Sequence, residues 1–203
     1  VLHTPITDVE KLKFDVVNQL ETIERDDKVV IVIDSIGNLA SKKELEDAIN
    51  EKSVADMSRA KALKGLFRMV TPYLTMKNIP MLAVNHTYMS LEMFSKPTVS
   101  GGTGIYYSAD NIWILGRQQD KQGTEIKGYH FVINVEKSRF VREKSKVPIS
   151  VSWEGGVQKW SGLLDVALEG QYVAKPSNGW YCRVSRETGE LLEPKVREKE
   201  TLN

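Results

Sequence analysis

Polar side chains that could do chemistry stand at the ends of two apolar runs in this chain. Asp34 and Ser35 follow the β-branched run 29–33, and Asn85 and His86 follow a second apolar run. A carboxylate at the carboxyl end of a buried parallel strand points into the crevice where α/β sheets bind ligands. It can orient water on Mg²⁺, which takes few protein ligands and keeps several waters. A neutral imidazole or amide in such a place can contact a phosphate.

These residues also have a purely structural interpretation. Many strands end in Asp as a turn or cap residue, and a hydrogen-bonded His at the end of a strand is common. The local pattern therefore leaves both interpretations of Asp34 and His86 open. The chain has 3 His and 1 Cys, which are too few for a structural zinc site.

No phosphate loop of the form G-x-x-x-x-G-K-[ST] occurs in the sequence. The glycine cluster at 100–104 has no Lys-Ser or Lys-Thr after it and follows no buried strand. Lys96, Tyr106 and Tyr107 flank this cluster. Flexible backbone with cations and aromatic rings suits single-stranded nucleic acid, because rings stack on bases and cations meet phosphates. The same composition also fits an ordinary surface loop.

Lys137 and Arg139 form a separate cationic pair. Their spacing places both side chains on one face of a strand. Two cations on one face can clamp a phosphate, but a strand edge blunted by charge has the same pattern.

The bulk composition narrows the class of protein. Hydrophobic residues make up 41% of the 203 residues and charged residues 27%, which argues against disorder. The net charge of +1 gives no general attraction to nucleic acid or membrane, so nucleic-acid contacts must come from local loops. The lone Cys182 fits a reducing compartment. No apolar run approaches the ~20 residues of a membrane span, so we expect a cytoplasmic protein with no membrane partner.

The apolar pattern predicts the elements that position these residues. Helical spacing predicts a helix over 9–23, where Thr7 and Glu10 have the spacing of a capping box. A second helix is predicted over 57–74, kinked or ended by Pro72. The strands between the helices read as buried parallel strands, and later strands alternate apolar and polar residues. The result is an α/β fold with parallel strands first and antiparallel strands toward the C-terminus.

Taken in order, the sequence blocks resemble the RecA/Rad51 recombinase family. The blocks that carry the resemblance span nearly the whole chain and are VIVIDSIGNL, PMLAVNH, SGGTGIYYSADNIWIL, VINVEKSR and GLLDVALEGQYVAKPSNGWY. The His after Asn85, the EKSR form and the stretch ASKKELEDAINEKSVADMSRAK are most similar to the UvsX branch of T4-like phages. The resemblance implies a RecA-like ATPase core, a mixed β-sheet flanked by helices, that is incomplete at its N-terminal side.

The resemblance also implies a site for ATP and Mg²⁺. Asp34 matches the Walker B aspartate and would hold Mg²⁺ through water, with Ser35 beside it. His86 matches the polar switch residue that senses the γ-phosphate, next to Asn85. Asp34 and His86 are therefore the expected catalytic residues.

Other matched residues imply a filament on DNA. Lys137 and Arg139 match a cationic pair that reaches the ATP of the neighbouring subunit. The first and second DNA-binding loops match about 47–57 and 95–108. The residues expected to contact DNA are Lys52, Met57, Lys96, Ser100, Gly101, Gly102, Thr103, Gly104 and Tyr106.

The activity implied for the parent protein is DNA strand exchange by a DNA-dependent ATPase. It would form filaments on single-stranded DNA, pair them with double-stranded DNA, and work with phage-type mediator and single-strand-binding proteins in the host cytoplasm. The Walker A loop and catalytic glutamate of the family precede the position that matches residue 1. We therefore expect the chain to be a piece of a longer protein that is inactive alone and binds ATP poorly. Residues 1–185 are expected to belong to the core and 186–203 to form a flexible tail.

Two other functions fit the same residues. A hexameric helicase shares the ATPase core, and closed rings in micrographs of the full-length protein would distinguish it from a filament. A non-catalytic DNA-binding paralogue would lack a phosphate loop upstream of residue 1 as well.

Overall fold

The described part of the chain covers most of both of its compact units. The computed structural model describes residues 2–51, 57–90, 96–122, 125–197 and 200. The units are Val1–Asp110 and Asn111–Asn203. Lys52, which is predicted to contact DNA, lies outside the described residues.

Helices alternate with short strands in the first unit. Its helices are α1 (Val9–Thr22), α2 (Lys42–Ile49), α3 (Ser58–Lys77) and α4 (Thr103–Ser108). Its strands are β1 (Ile31–Ile33), β2 (Met81–Ala83), β3 (Thr87–Met89) and β4 (Pro97–Val99). Strands β1 and β2 pair in parallel, and β3 and β4 pair antiparallel. The predicted succession of helix, strand, helix and strand is confirmed.

Helix α1 begins after Asp8 rather than after Thr7. The Asp8 carboxylate accepts a hydrogen bond from the backbone N–H of Lys11 and another from the Thr7 hydroxyl, both at 2.8 Å. The predicted capping box is wrong because the carboxylate of Asp8 occupies the capping position. The side chain of Glu10 instead accepts a hydrogen bond from the backbone N–H of Lys42 at 2.9 Å.

The facing apolar sides of α1 and α3 form the core of the first unit. The buried residues that they contribute are Val9, Leu12, Val16, Leu20, Leu63, Leu66, Phe67 and Val70. Helix α3 continues past Pro72 to Lys77, so this proline does not end it. Burial of the apolar stripe before the proline holds the helix together, as is usual for helices in globular proteins.

The sheet of β1 and β2 is covered on one face by the described residues of the first unit. Ile33 is 8% exposed, whereas Val32 is 61% exposed and its partner Leu82 is 56% exposed. Neighbouring side chains on a strand point to opposite faces. The prediction of strands buried on both faces is therefore wrong for this chain, because the core lies against one face only.

The stretch 87–108 has more regular structure than its sequence pattern indicates. Strands β3 and β4 pair antiparallel, and α4 begins at Thr103, within the glycine cluster. Ile105 is the buried residue of this helix, at 8% exposure. A single anchor residue gives no periodic signal, which is why a loop was the expectation from sequence.

The described residues of the second unit form two antiparallel sheets and one short helix. Strands β5 (Asn111–Gln122), β6 (Glu125–Ser138), β7 (Lys146–Ser152) and β8 (Gly156–Val157) form one sheet in that order. Helix α5 (Leu163–Glu169) precedes β9 (Val173–Ser177), β10 (Trp180–Val184) and β11 (Leu191–Arg197). The second sheet has the order β11, β10, β9. The predicted change to antiparallel strands is confirmed.

The C-terminal residues contain a strand where a frayed tail is expected. Strand β11 pairs antiparallel with β10, including Val184 with Leu191. Backbone pairing requires no apolar period, so the sequence pattern does not reveal it. The domain boundary at residue 185 stays a prediction. Within the described part of the chain, every helix is too short or too polar to span a lipid bilayer.

Candidate functional site

Asp34 and Ser35 lie directly after β1, where the backbone is tied to the end of β2. The backbone N–H of Val84 donates to the carbonyl of Ile33 at 2.9 Å, and the N–H of Ile36 donates to the carbonyl of Val84 at 3.0 Å. The Asp34 side chain is exposed, and it forms no hydrogen bond with the residues that the structure describes. Its carboxylate is therefore available to bound water or a cation.

A short 3₁₀ turn (Ile36–Asn38) brings the segment after Asp34 against His86. The His86 Nε2 lies 3.0 Å from the Asn38 Oδ1. The imidazole also packs directly on Gly37, since a Cβ at Gly37 would lie 2.2 Å from the Cδ2 of His86. Gly37 and Asn38 thus connect the segment that follows Asp34 to His86. The sequence predicts Asp34 and His86 to be catalytic, but it does not mark Gly37 or Asn38 as site residues.

Asn85 connects the end of β2 to the glycine cluster. Its Nδ2 donates to the carbonyl of Ser100 at 2.8 Å, and its Oδ1 accepts from the backbone N–H of His86 at 2.9 Å. The backbone N–H of Ser100 donates to the carbonyl of His86 at 3.0 Å. Two hydrogen bonds therefore hold Ser100 beside the candidate nucleotide residues, and a third joins Asn85 to His86.

The glycine loop, residues 100–104, is seated on α3. Gly101 and Gly102 have φ angles of +94° and +83°, which favour glycine. A Cβ at Gly104 would lie 2.8 Å from the Cβ of Lys64, so the backbone approaches the helix closely. The contact requires glycine for space as well as for conformation.

The other residues predicted on this DNA loop lie on both sides of the glycines. Lys96 is exposed just before β4, and its backbone N–H donates to the Ser90 hydroxyl at 3.0 Å. Thr103 begins α4, and Tyr106 lies on that helix with its ring 6.0 Å from that of Tyr107, edge to face. Tyr107 is 72% exposed, whereas Tyr106 is half-buried. Accessible aromatic surface and a cation beside a closely seated backbone are suited to stacking on bases and contacting phosphates.

The candidate first DNA loop is described only in part. Met57 is 79% exposed and immediately precedes α3. Residues 52–56 lie outside the described residues. The same helix that supports the glycine loop therefore begins where the candidate first loop ends.

Arg59 is the site residue that sequence reasoning missed most clearly. It is half-buried near the start of α3 and bonds to the carbonyl of Leu39 at 2.7 Å. It also bonds to the carbonyls of Ile36 and Gly37, each at 2.9 Å. A cation at the start of a helix after a polar stretch gives no recognisable sequence signal.

Lys137 and Arg139 belong to the second unit. Lys137 lies at the end of β6, opposite Ile112, and Arg139 follows in the turn beyond it. The hydroxyl of Ser138 donates to the Asn111 side chain at 2.7 Å and accepts from two backbone N–H groups of the turn. This turn positions the two cations predicted to bind phosphate.

The donor set is suited to a shared Mg²⁺ site rather than to a protein cage. Among the described residues no group of three or more His, Cys, Asp and Glu side chains gathers to hold a metal. Mg²⁺ in nucleotide sites is held by one or two carboxylates, several waters and the phosphates themselves. Asp34, with the Ser35 hydroxyl beside it, fits that limited role.

A RecA-like α/β protein is the class that the fold defines, as similarity to two RecA proteins shows. The chain is 25% identical over 164 residues to Protein RecA of Staphylococcus aureus strain JH9, covering 79% of the chain and 46% of that protein. The same values hold for Protein RecA of strain Newman. This homology confirms the RecA-like α/β class.

The similarity to one phage protein is much higher. The chain is 58% identical over 205 residues to the Recombination and repair protein of Enterobacteria phage T4, covering 99% of the chain and 52% of that protein. Residues 160–203 match the family described as Bacteriophage T4, Recombination and repair protein, C-terminal domain. The chain spans about half the length of the curated relatives it matches. It is a homologue of the phage T4 protein and a more distant one of RecA, and the predicted resemblance is confirmed.

Proposed function

We propose that the chain is part of an ATP-dependent recombinase that assembles on single-stranded DNA and promotes homologous pairing and strand exchange. The observation that carries this proposal is the direct connection from the segment after Asp34, through His86 and Asn85, to Ser100 of the glycine loop. Such a connection lets the state of a nucleotide alter the geometry of a DNA-binding loop. The homology to the phage T4 recombination and repair protein supports the same function.

On the nucleotide side, the residues of this chain would orient and sense rather than bind tightly. ATP with Mg²⁺ supplies the phosphate charge and the hydrolysable bond. The Asp34 carboxylate would orient water on the ion, and Ser35 would support that water shell. The His86 imidazole, held by Asn38, would respond to the terminal phosphate, and a shift of His86 would move the Ser100 backbone that it contacts.

On the DNA side, the glycine loop would contact the backbone of a single strand. Lys96 would meet phosphates, and Tyr106 would stack on bases. Most of the affinity would come from phosphate contacts, so DNA binding should fall steeply with salt. Sequence would not be read by the protein, because base pairing between strands performs that task.

A complete nucleotide site is proposed to need residues beyond this chain. The sequence holds no phosphate loop, and Lys137 and Arg139 are proposed to reach the ATP of a neighbouring subunit in a filament. The chain alone is therefore proposed to be inactive and to bind ATP weakly. We further propose a core over 1–185, mediator and single-strand-binding proteins as partners, and the host cytoplasm as the location.

Strand exchange by the full-length protein tests the proposed function. The wild type is expected to exchange strands between homologous DNAs with ATP and Mg²⁺, and Asp34→Asn is expected to lose at least about tenfold in single-strand-stimulated ATP hydrolysis. An exposed residue beyond the end of α1, Arg25, provides a control as Arg25→Gln. Failure of the wild type to pair homologous strands, or full activity in Asp34→Asn, would contradict the proposal.

A further inference from the structure

Arg59 links the turn after β1 to the start of the glycine loop. Its Nε donates to the carbonyl of Leu39 at 2.7 Å, and its Nη2 donates to the carbonyls of Ile36 and Gly37, both at 2.9 Å. Its Nη1 lies 3.5 Å from the Oγ of Ser100. One side chain therefore touches both of the segments that the candidate nucleotide and DNA residues occupy.

The place of Arg59 on α3 adds a further connection. Arg59 follows Met57, at the end of the candidate first DNA loop, by two positions. One turn along the helix, a Cβ at Gly101 would lie 2.9 Å from the Cδ1 of Leu63, and one at Gly104 would lie 2.8 Å from the Cβ of Lys64. The start of α3 is thus packed against the glycine loop while Arg59 holds the turn after β1.

The chemistry of the contact requires a guanidinium. Carbonyl groups at the end of a helical turn carry partial negative charge and can accept further hydrogen bonds from a cation. The carbonyl of Ile36 accepts from Arg59 in addition to the backbone N–H of Leu39 at 3.4 Å. The planar guanidinium has five N–H donors and reaches several carbonyls at once, which a lysine ammonium on a flexible stem does not reproduce. Because Arg59 is half-buried, water replaces these bonds poorly. A displacement of the turn must displace Arg59 and the start of α3 with it.

We propose that Arg59 is a positioning residue that couples the turn after Asp34 to the glycine loop. It acts in parallel with the backbone connection that runs through Asn85 and His86. Arg59 does not cap its own helix, since its hydrogen bonds go to the other two segments. This inference rests on the proposed function, because it describes how nucleotide and DNA binding communicate in the same site.

The test compares Arg59→Gln with Arg25→Gln in the full-length protein. The affinity for fluorescein-labelled oligothymidylate is measured with and without a non-hydrolysable ATP analogue, and the affinity for the analogue is measured without DNA. The wild type is expected to bind the oligonucleotide about tenfold more tightly with the analogue, within the usual range of coupling between sites. Arg59→Gln is expected to reduce that ratio to about twofold or less, while its affinity for the analogue alone changes less than about twofold. Arg25→Gln should match the wild type.

The outcomes separate this inference from the function on which it rests. If the wild type shows no dependence on the analogue, the proposed function and this inference are both overturned. If the wild type shows the ratio and Arg59→Gln keeps it, this inference alone is overturned. Arg59→Lys is the second variant, for use if the glutamine variant does not fold, and it is expected to give an intermediate ratio. A lysine variant equal to the wild type would overturn the inference.

Hydrogen exchange of the unaltered protein gives a measurement that needs no variant. The backbone N–H of Ile36 donates to Val84, and the N–H of Leu39 donates to Ile36. Single-stranded DNA added without nucleotide is expected to slow exchange at these two amides by about fivefold, because the loop and the turn move together. Unchanged exchange at both amides, with the oligonucleotide bound, would overturn the inference.

Discussion

The imidazole of His86 lies against Gly37, with its Nε2 3.0 Å from the Oδ1 of Asn38. A Cβ at Gly37 would be 2.2 Å from the Cδ2 of the same ring, far inside van der Waals contact. Glycine at this position is therefore required by the close approach of the ring, and not by an unusual φ angle. Gly37, three positions after Asp34, therefore determines where His86 lies.

Replacing Gly37 by Ala is expected to displace His86 and to weaken the connection to the DNA loop. In the full-length protein, the gain in single-stranded DNA affinity on adding an ATP analogue should fall about tenfold. Fluorescence anisotropy of a labelled oligonucleotide measures it.

Gly65→Ala is the control for Gly37→Ala. Gly65 lies inside α3, and a Cβ there meets nothing within 4 Å. Alanine at a helix interior is expected to raise the free energy of unfolding by up to about 1 kcal/mol, with no change in DNA affinity. If Gly37→Ala gains as much single-stranded DNA affinity from the ATP analogue as the wild type does, the contact between His86 and Gly37 does not couple nucleotide binding to DNA binding.

Replacing Asn85 by Asp is expected to release Ser100. The carboxylate still accepts the N–H of His86, but it has no donor for the Ser100 carbonyl that Nδ2 now reaches at 2.8 Å. Loss of one partner from a part-buried pair costs about 1–3 kcal/mol. Hydrogen exchange at the Ser100 amide should therefore be faster by about tenfold, since its partner is the carbonyl of His86.

Asn50→Asp is the matched change elsewhere in the first unit. Asn50 also donates from Nδ2 to a backbone carbonyl, that of Glu46 at 2.7 Å, at the end of α2. Its substitution should leave exchange at Ser100 unchanged. Equal exchange rates at Ser100 in both variants would mean that Asn85 does not hold the loop.

The sequence predicts the elements of this fold better than it predicts the site contacts. The stripes on α1 and α3 are visible because burial repeats at helical spacing, and Asp34 and His86 are visible because they end apolar runs. Arg59 is not visible, because its partners are backbone carbonyls about 20 residues away along the chain. A backbone carbonyl carries no residue type, so no motif records that contact. The pairing of β11 with β10 is not predicted from the sequence either, because backbone groups make it.

The uncovered face of the β1–β2 sheet is expected to make the isolated chain self-associate. Val32 and its partner Leu82 are 61% and 56% exposed side by side, and contiguous exposed apolar surface promotes association. The double change Val32→Thr with Leu82→Thr places threonine, a β-branched residue favoured in strands, at both positions. It reduces the exposed apolar area of this sheet face. The average mass from light scattering at high protein concentration should fall toward that of the monomer.

A single exposed residue on another element serves as the comparison for the sheet face. Met76 is 60% exposed on α3, and Met76→Thr removes a similar apolar side chain from a different surface. It is expected to leave the average mass unchanged. A wild-type chain that is already a monomer would refute the expected association.

Asp8 gives a prediction about stability and pH. Burial acts to raise the pKa of this carboxyl, but hydrogen bonds from the Lys11 backbone and the Thr7 hydroxyl, with the charges of Lys42 and Lys11, hold it below its usual value. A lowered folded-state pKa means that the ionised form stabilises the fold above the unfolded-state pKa of about 3.9. That contribution is lost as the pH falls through the lower folded-state value.

The variants Asp8→Asn and Asp8→Ala separate the charge of Asp8 from its capping role. Asn retains a side-chain oxygen for the Lys11 N–H, so Asp8→Asn should be less stable than the wild type at pH 7, with the gap closing below about pH 4. Ala removes the cap as well and is expected to cost about 1 kcal/mol further at every pH. Urea midpoints from pH 7 down to the onset of acid unfolding measure both effects. Because other carboxyls titrate equally in all three proteins, only the differences between them matter. A gap between Asp8→Asn and wild type that stays constant with pH would show that the ionised charge of Asp8 does not stabilise the fold.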